Sequence, residues 1–369
     1  MDFGGAIIAF DRVVVIGLGL IGGSIARALV PLVEVVGVDP DPATIRAAKL
    51  DGIESYATLD AACALVTYRS LIVVATPVDH IASTLEVLAN LATRPLITDV
   101  CSVKVLVEQV ARGRDLRFIG GHPMAGSEQH GYRAASDSLF SGTRWALMVD
   151  GQTDLGDWFA IVDLVVAMGA TAMPSTPDAH DQAVAAVSHL PHVLAAALAG
   201  ATDNDHSEVM LGLAAGSFRD GTRVARSDPA FWASVVRENA SNMIPLLHTM
   251  RDELDALAVE LERGSSRDVL AYFARGERAR RRYEDRTART QTLLCENDAS
   301  ARATLADLGE RGGSVTGQTI IGSARHIHAR VPDRAQLNAA QAPGLTNTAV
   351  DADDGAESGQ ARQSGEFGR

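Results

Sequence analysis

Lysine is almost missing from this chain: Lys49 and Lys104 are the two it has, against a crowd of arginines. That bias carries no functional weight by itself. Cysteine is scarce as well. Cys63, Cys101 and Cys295 are odd in number and far apart, which excludes a disulfide framework and metal-ligand spacing and suits a reducing cytoplasm. Net positive charge is lacking: the balance is −13, so the surface cannot attract nucleic acid or an acidic membrane. An anionic substrate has to be met by a local basic cluster. No apolar run approaches the roughly 20 residues needed to span a bilayer. The N-terminus has no basic leader region, and its apolar stretch Ala6–Phe10 is too short for a signal sequence. A soluble cytoplasmic protein is expected.

What is present is apolar material, 47% of 369 residues, enough for the cores of two domains. Short continuous apolar runs at Val13–Ile16, Val33–Val38, Leu71–Ala75 and Leu96–Thr98 suit buried parallel strands. Helical patterns such as Asp41–Lys49 and Asp79–Leu91 separate them, and further strands are expected at Arg117–Ile119, Trp145–Val149 and Thr171–Met173. Strand and helix in alternation predict an α/β doubly wound parallel sheet over residues 1–176. Residues 177–296 read as all helix, with patterns at Asp178–Ala199, Glu208–Leu213, Asp228–Asn239, Ser241–Glu262 and Ser266–Tyr283. This half is apolar enough for one helix to be buried on several sides, in the domain core or against a second copy in a homodimer. Residues 297–369 lose aromatic residues and gain small and polar ones, which predicts a disordered tail with at most a short strand at Thr319–Ile321.

The first strand runs straight into Gly17-Leu18-Gly19-Leu20-Ile21-Gly22-Gly23-Ser24 and then a helix. In such a turn Gly17 permits the bend, Gly19 lets the backbone approach a pyrophosphate, and Gly22 lets helix pack on strand. Leu20 and Ile21 lie at the helix N-terminus, whose N–H groups and dipole favour phosphate. Asp39 ends the second strand, 20 residues after Gly19, where a carboxylate accepts hydrogen bonds from ribose and repels a 2′-phosphate. NAD is therefore favoured over NADP. Asp39 could instead serve as a helix cap before Pro40, Asp41 and Pro42.

Ligands of an open parallel sheet bind beyond the carboxyl ends of its strands. There lie Thr76 and Pro77, the segment Asp99–Lys104 with Ser102, and the segment from Gly120 to Glu128 with His122 and Ser127. His122 follows a buried strand in a glycine-flanked loop. Histidine titrates near neutrality and can take the proton of an alcohol as its carbon loses hydride. Ser102 could orient that imidazole, or simply cap the helix expected near Val103. Farther along, Ser188-His189-Leu190-Pro191-His192 puts polar groups into an apolar helix, with Ser188 and His192 on one face. They need internal partners or a wet site. A metal held by His189 and His192 lacks a third ligand, so no metal site is expected. The segment Gly216–Arg226, with Asp220 and Arg223, supplies the local positive cluster, since arginine forks match carboxylates.

Together these segments resemble the prephenate dehydrogenases, a family that also takes in arogenate dehydrogenases. The matching stretches are GLGLIGGS, TDVCSVK from Thr98, GGHPMAGSE from Gly120, SHLPH from Ser188 and AGSFRDGTRVARSDPAFW from Ala215, in the family's order. The resemblance implies a Rossmann domain followed by a helical dimerisation domain. It also implies NAD-dependent oxidative decarboxylation of prephenate to 4-hydroxyphenylpyruvate, for tyrosine. By the same resemblance His122 is the base at the ring hydroxyl and Ser102 its hydrogen-bonding neighbour. Arg223 binds a substrate carboxylate and His192 lines the pocket, with Ser127, Glu128, Ser188 and Asp220 around it. Cys101 stands where the family often has glycine. Some relatives carry a C-terminal amino-acid-sensing domain, which residues 297–369 do not resemble. Rival readings are arogenate dehydrogenase, an NAD-binding sensor, and a 3-hydroxyacid dehydrogenase, whose catalytic lysine has no counterpart after Lys104. Asp39→Ser should weaken the preference for NAD over NADP. An unchanged ratio of kcat/KM for the two cofactors would return Asp39 to a capping role.

Overall fold

Val13 and Val15 bury themselves on one side of the first strand, Val14 and Ile16 on the other, as a parallel strand covered on both faces requires. That strand, β1 (Arg12–Ile16), is followed by α1 (Leu20–Leu29), β2 (Glu34–Val38), α2 (Pro42–Leu50), β3 (Glu54–Tyr56), α3 (Leu59–Cys63), β4 (Ser70–Val74), α4 (Ile81–Leu88), β5 (Leu96–Asp99), α5 (Val105–Gly113) and β6 (Phe118–Ile119). The strands form a parallel sheet in the order β3-β2-β1-β4-β5-β6, the doubly wound order of dinucleotide-binding folds. The computed structural model describes residues 8–126, 129–322 and 324–333, all within one unit.

After β6 the chain leaves this sheet. Gly120 is the only residue between β6 and β7 (Gly121–Pro123), and β7 pairs antiparallel with β8 (Arg144–Met148) in a second sheet. Next come α6 (Leu155–Ala167) and β9 (Thr171–Ser175), which runs parallel to β8. The strands expected at Trp145–Val149 and Thr171–Met173 therefore exist, but not in the doubly wound sheet. Their local pattern is that of a buried strand, and local pattern does not say which neighbour a strand pairs with.

The helical half holds α7 (Pro177–Val184), a π-helical turn (Ala185–His189), α8 (Leu190–Gly200), α9 (Ser207–Gly212), α10 (Gly216–Thr222), α11 (Pro229–Glu238), α12 (Ala240–Arg263) and α13 (Ser266–Glu284). It is fastened to the parallel sheet through α11. Val235 packs into the core beneath α4 and α5, and Ser234 and Arg237 both bond Asp79 at 2.6 and 2.7 Å.

The expectation for residues 288–333 was wrong, apart from a strand where one was allowed at Thr319–Ile321. Instead of helix and tail, the chain forms β10 (Ala288–Cys295), α14 (Asp298–Glu310), β11 (Ser314–Ile321) and β12 (Ala324–Pro332). β11 pairs with β9 and completes a second sheet ordered β10-β12-β11-β9-β8-β7. Leu305, Leu308, Val315, Ile327 and Ala329 join the same core as Trp158 and Val165 of α6. Composition misled because only one face of this layer is buried; the other keeps its polar residues in solvent. Residues 334–369, where disorder was expected, lie outside the described residues.

The crossing from one sheet to the other is clamped. Lys104 and Asp99 form an ion pair with both side chains fully buried. Lys104 Nζ also donates to the Gly121 carbonyl at 2.7 Å, and Gly121 N donates to Asp99 Oδ1 at 3.1 Å. A Cβ on Gly121 would fall 2.8 Å from the Asp99 carbonyl oxygen, so only glycine fits there. Lys104→Met keeps the unbranched shape, one atom shorter, and strands Asp99 in the core, which costs about 3–5 kcal/mol when one partner of a buried pair is removed. The urea midpoint should drop to match; a loss under about 1 kcal/mol would show that this pair does not hold the crossing.

Candidate active site

The carboxyl ends of the parallel strands carry two groups of residues. At β1, Gly17 adopts φ +92, a conformation suited to glycine, and a Cβ there would meet the Ala75 carbonyl oxygen at 2.6 Å. A Cβ at Gly22 would fall 1.9 Å from the Gly17 carbonyl oxygen. Gly19 is different: nothing stands within 4 Å of its missing Cβ, and α1 begins there with no side chain capping its N–H groups. That leaves room and donors for a phosphate. Asp39 accepts from Leu18 N at 2.9 Å through Oδ2 and from Asp41 N at 2.9 Å through Oδ1. It braces the glycine loop, while Asp41 is the residue that caps α2. Thr76 lies beside Gly17, and its hydroxyl is buried with no partner among the described residues. Pro77 follows, exposed, ahead of the turn Val78–His80. Leu20 and Ile21 form the first turn of α1. The fingerprint residues are thus brought together.

The second group centres on His122. It lies on β7, not in a loop, and is 8% exposed. The preceding glycines let the strand pass under its neighbours, since a Cβ on Gly120 would meet Glu108 Oε1 at 2.6 Å. Glu108 accepts from Gly120 N at 3.1 Å, and burial raises its pKa. His122 Nδ1 is hydrogen-bonded to His180 Nε2 at 2.9 Å, and His180 Nδ1 to Asp181 Oδ1 at 2.8 Å. Burial pushes the pKa of His122 well below the ordinary histidine value, helped by the neighbouring His180, Lys104 and His189. His122 is neutral at physiological pH.

Ser102 is half-buried in the bend before α5, and no hydrogen bond joins it to His122 among the described residues. It is not a helix cap either, because α5 starts at Val105 after Lys104. Ser188 falls in the π-helical turn, a helix form that often marks functional sites. His189 is fully buried, with Nδ1 taking the Asn239 amide at 3.1 Å and Nε2 without a partner among the described residues. His192 stacks on Trp232, ring centroids 3.5 Å apart. Its pKa is lowered, chiefly by burial, and the nearby Arg223 charge adds to this while the Val224 backbone opposes it. Arg223 stands exposed at the start of a 3₁₀ turn (Arg223–Arg226). Asp220 is solvated and paired with Arg219 at 3.2 Å, the ordinary behaviour of a surface ion pair. Ser127 and Glu128 lie outside the described residues.

Comparison with known proteins accords with this arrangement. The family model "Prephenate dehydrogenase, nucleotide-binding domain" matches residues 23–173, and "Prephenate dehydrogenase, dimerization domain" matches residues 176–275. A curated prephenate dehydrogenase of Bacillus subtilis (strain 168) is 34% identical over 277 residues, 71% of this chain and 73% of its own length. The chain belongs to the prephenate dehydrogenase family. Among solved structures, a prephenate dehydrogenase from A. aeolicus in complex with hydroxyphenyl propionate and NAD+ superposes with TM-score 0.68 at 26% identity, covering 73% of this chain and 97% of that one. The Synechocystis arogenate dehydrogenase gives TM-score 0.63 at 28% identity, covering 74% and 99%. The finding fixes a prephenate, cyclohexadienyl or arogenate dehydrogenase family and leaves the individual substrate open.

Sequence reasoning missed His180, Asp181, Asn239 and Trp232. Trp232 closes the last matching stretch, so a signal existed for it. His180 and Asp181 had none, as their partners are 58 and 77 residues away.

Three buried histidines stay neutral here: His122, His180 and His189, the last brought down to about 4 from an ordinary 6.5, mainly by burial. Each binds its proton more readily unfolded than folded. Their contribution to stability is whole above about 6.5 and is lost on acidification, for His189 as pH falls toward about 4. Denaturant midpoints should therefore fall between pH 7 and pH 5, each histidine adding at most about 1.4 kcal/mol per pH unit. Uptake of fewer than about one proton on unfolding at pH 5 would contradict this burial.

Proposed function

We propose that this protein oxidatively decarboxylates prephenate to 4-hydroxyphenylpyruvate with NAD, in tyrosine biosynthesis. One observation carries the reading: His122 is a buried, neutral imidazole with Nδ1 occupied, set beyond the strand ends that hold the dinucleotide fingerprint. Gly17, Gly19, Leu20, Ile21, Gly22, Asp39, Thr76 and Pro77 would hold the cofactor. The open space at Gly19, the uncapped start of α1 and the orphan Thr76 hydroxyl fit that group. When bound, NAD supplies the acceptor for hydride from the ring carbon that bears the hydroxyl. His122 Nε2 takes the hydroxyl proton as that carbon becomes a carbonyl, and Ser102, in the bend before α5, is assigned to orient the hydroxyl. Loss of the ring carboxylate as carbon dioxide returns its electron pair to the ring, and aromatisation asks no further catalyst of the chain. Arg223 binds a substrate carboxylate, and His192 on Trp232 forms a wall of the same pocket; Ser127, Glu128, Ser188 and Asp220 are assigned to its rim.

A homodimer in the cytoplasm completes the reading. Within its own chain α8 buries only Leu190 and Ala195. Leu198 stays 47% exposed, and Leu270 and Phe273 of α13 are 69% and 63% exposed, a surface that suits a second copy. A monomeric mass in light scattering would remove it.

Prephenate and arogenate, offered in parallel with NAD, should separate the substrates, since the likeness to the Synechocystis enzyme supports arogenate as the second reading. His122→Asn should lower kcat by about 10²–10⁴ with little change in KM. Arg223→Ala should raise KM roughly 10- to 150-fold, the value of a charge-assisted bond of about 1.5–3 kcal/mol. Near-normal turnover by the first variant, or an unaltered KM in the second, would remove that residue from its role.

A further inference from the structure

His122 can act as a base only if the nitrogen facing the substrate has a lone pair, and an imidazole has two ways to place its proton. The residues behind it decide which. Asp181 accepts two backbone bonds, from Lys104 N at 2.7 Å and from Val105 N at 2.9 Å. Both carboxylate oxygens are thus engaged as acceptors, so at the 2.8 Å contact with His180 the Nδ1 of His180 is the donor. A neutral His180 then has a bare Nε2, and this is the atom 2.9 Å from His122 Nδ1. The proton of that bond must come from His122. All three side chains are buried, at 8%, 4% and 3% exposure, so water cannot substitute for any member of the chain. The opposite arrangement needs a cationic His180 inside the protein, beside Lys104. Burial disfavours that charge and Lys104 repels it, which together outweigh the pull of Asp181 and Asp99.

We propose that His180 and Asp181 are positioning residues for the proton transfer: Asp181 orients His180, and His180 holds His122 as its Nδ1–H tautomer with Nε2 open to the substrate hydroxyl. The proposal rests on His122 being the base. In the step itself the substrate O–H bond breaks and an N–H bond forms at His122 Nε2. The Nδ1 proton stays where it is, and the new imidazolium donates to His180 with the Asp181 carboxylate behind it. No proton travels along the chain. Because Asp181 also caps α5 and passes its backbone carbonyl to Asn239 at 2.9 Å, the orientation of the base is set by the junction of α7 with the nucleotide-binding half.

Full-length protein labelled with ¹⁵N-histidine tests this directly. At neutral pH the ring-nitrogen shifts, assigned with His122→Asn, should report His122 as the Nδ1–H tautomer. Asp181→Asn and His180→Ala should release that preference. A histidine base held in the wrong tautomer loses up to about 10⁴ in kcat; both variants should lose at least about tenfold, with substrate KM within about threefold. His180→Gln, which returns an acceptor oxygen, should recover part of the loss. An Nε2–H tautomer for His122 in the unmodified protein overturns the proposal, even if neither variant folds. So does an unchanged tautomer and kcat in a folded His180→Ala. Absence of turnover in the unmodified protein with both substrates would sink the proposed function instead, and the tautomer measurement would still decide the relay.

Discussion

Two opposite charges with no water around them, Lys104 and Asp99, hold the crossing strand. Such a pair is costly to bury and contributes little net stability by itself. Its value lies in what the charges also bond. One ammonium reaches both a carboxylate and the Gly121 carbonyl, and the carboxylate takes Gly121 N and Cys101 N. The backbone next to His122 thus has a single position. Lysine suits this task better than arginine, because its compact ammonium can point three donors in different directions where a planar fork cannot. A chain with two lysines has put one of them at its centre.

The same segment is gripped from the other side. The first N–H groups of α5 find no local cap; Asp181, in the first turns of the helical half, takes Lys104 N and Val105 N instead. A carboxylate at a helix N-terminus is favoured by the dipole as well as by the hydrogen bonds. One short stretch, Asp99 to Val105, is therefore where both sheets and the helical half meet. Asp99 and Lys104 in it satisfy backbone groups that are otherwise buried and unpaired.

What could be read from the sequence follows the range of each interaction. Strand runs such as Val13–Ile16 and the glycine turn after them are local, and the structure has them where the pattern puts them. The helices of the second half were legible for the same reason, down to α13 at Ser266–Glu284. His122 was found as a residue but assigned to a loop, because nothing local marks the jump of β7 into a second sheet. His180 and Asp181 are ordinary helix residues until their partners arrive from β7 and α5. The layer β10-α14-β11-β12 failed for another reason. The alternation His326-Ile327-His328-Ala329-Arg330-Val331 is that of a strand with one buried face, but composition outweighed it.

Electrostatics divides the candidate site into two unlike halves. Around His122 the groups Asp99, Lys104, His180 and Asp181 are buried and bonded, and burial with the positive charge of Lys104 lowers the pKa of both histidines. On the helical side Arg223 stands in solvent and His192 lies on the face of Trp232. A base must hold one geometry to within a fraction of an ångström, and the bonds from His122 through His180 to Asp181 give it one. The buried His122 and the exposed Arg223 thus lie in unlike surroundings, where a charge interacts strongly at the first and is screened by solvent at the second.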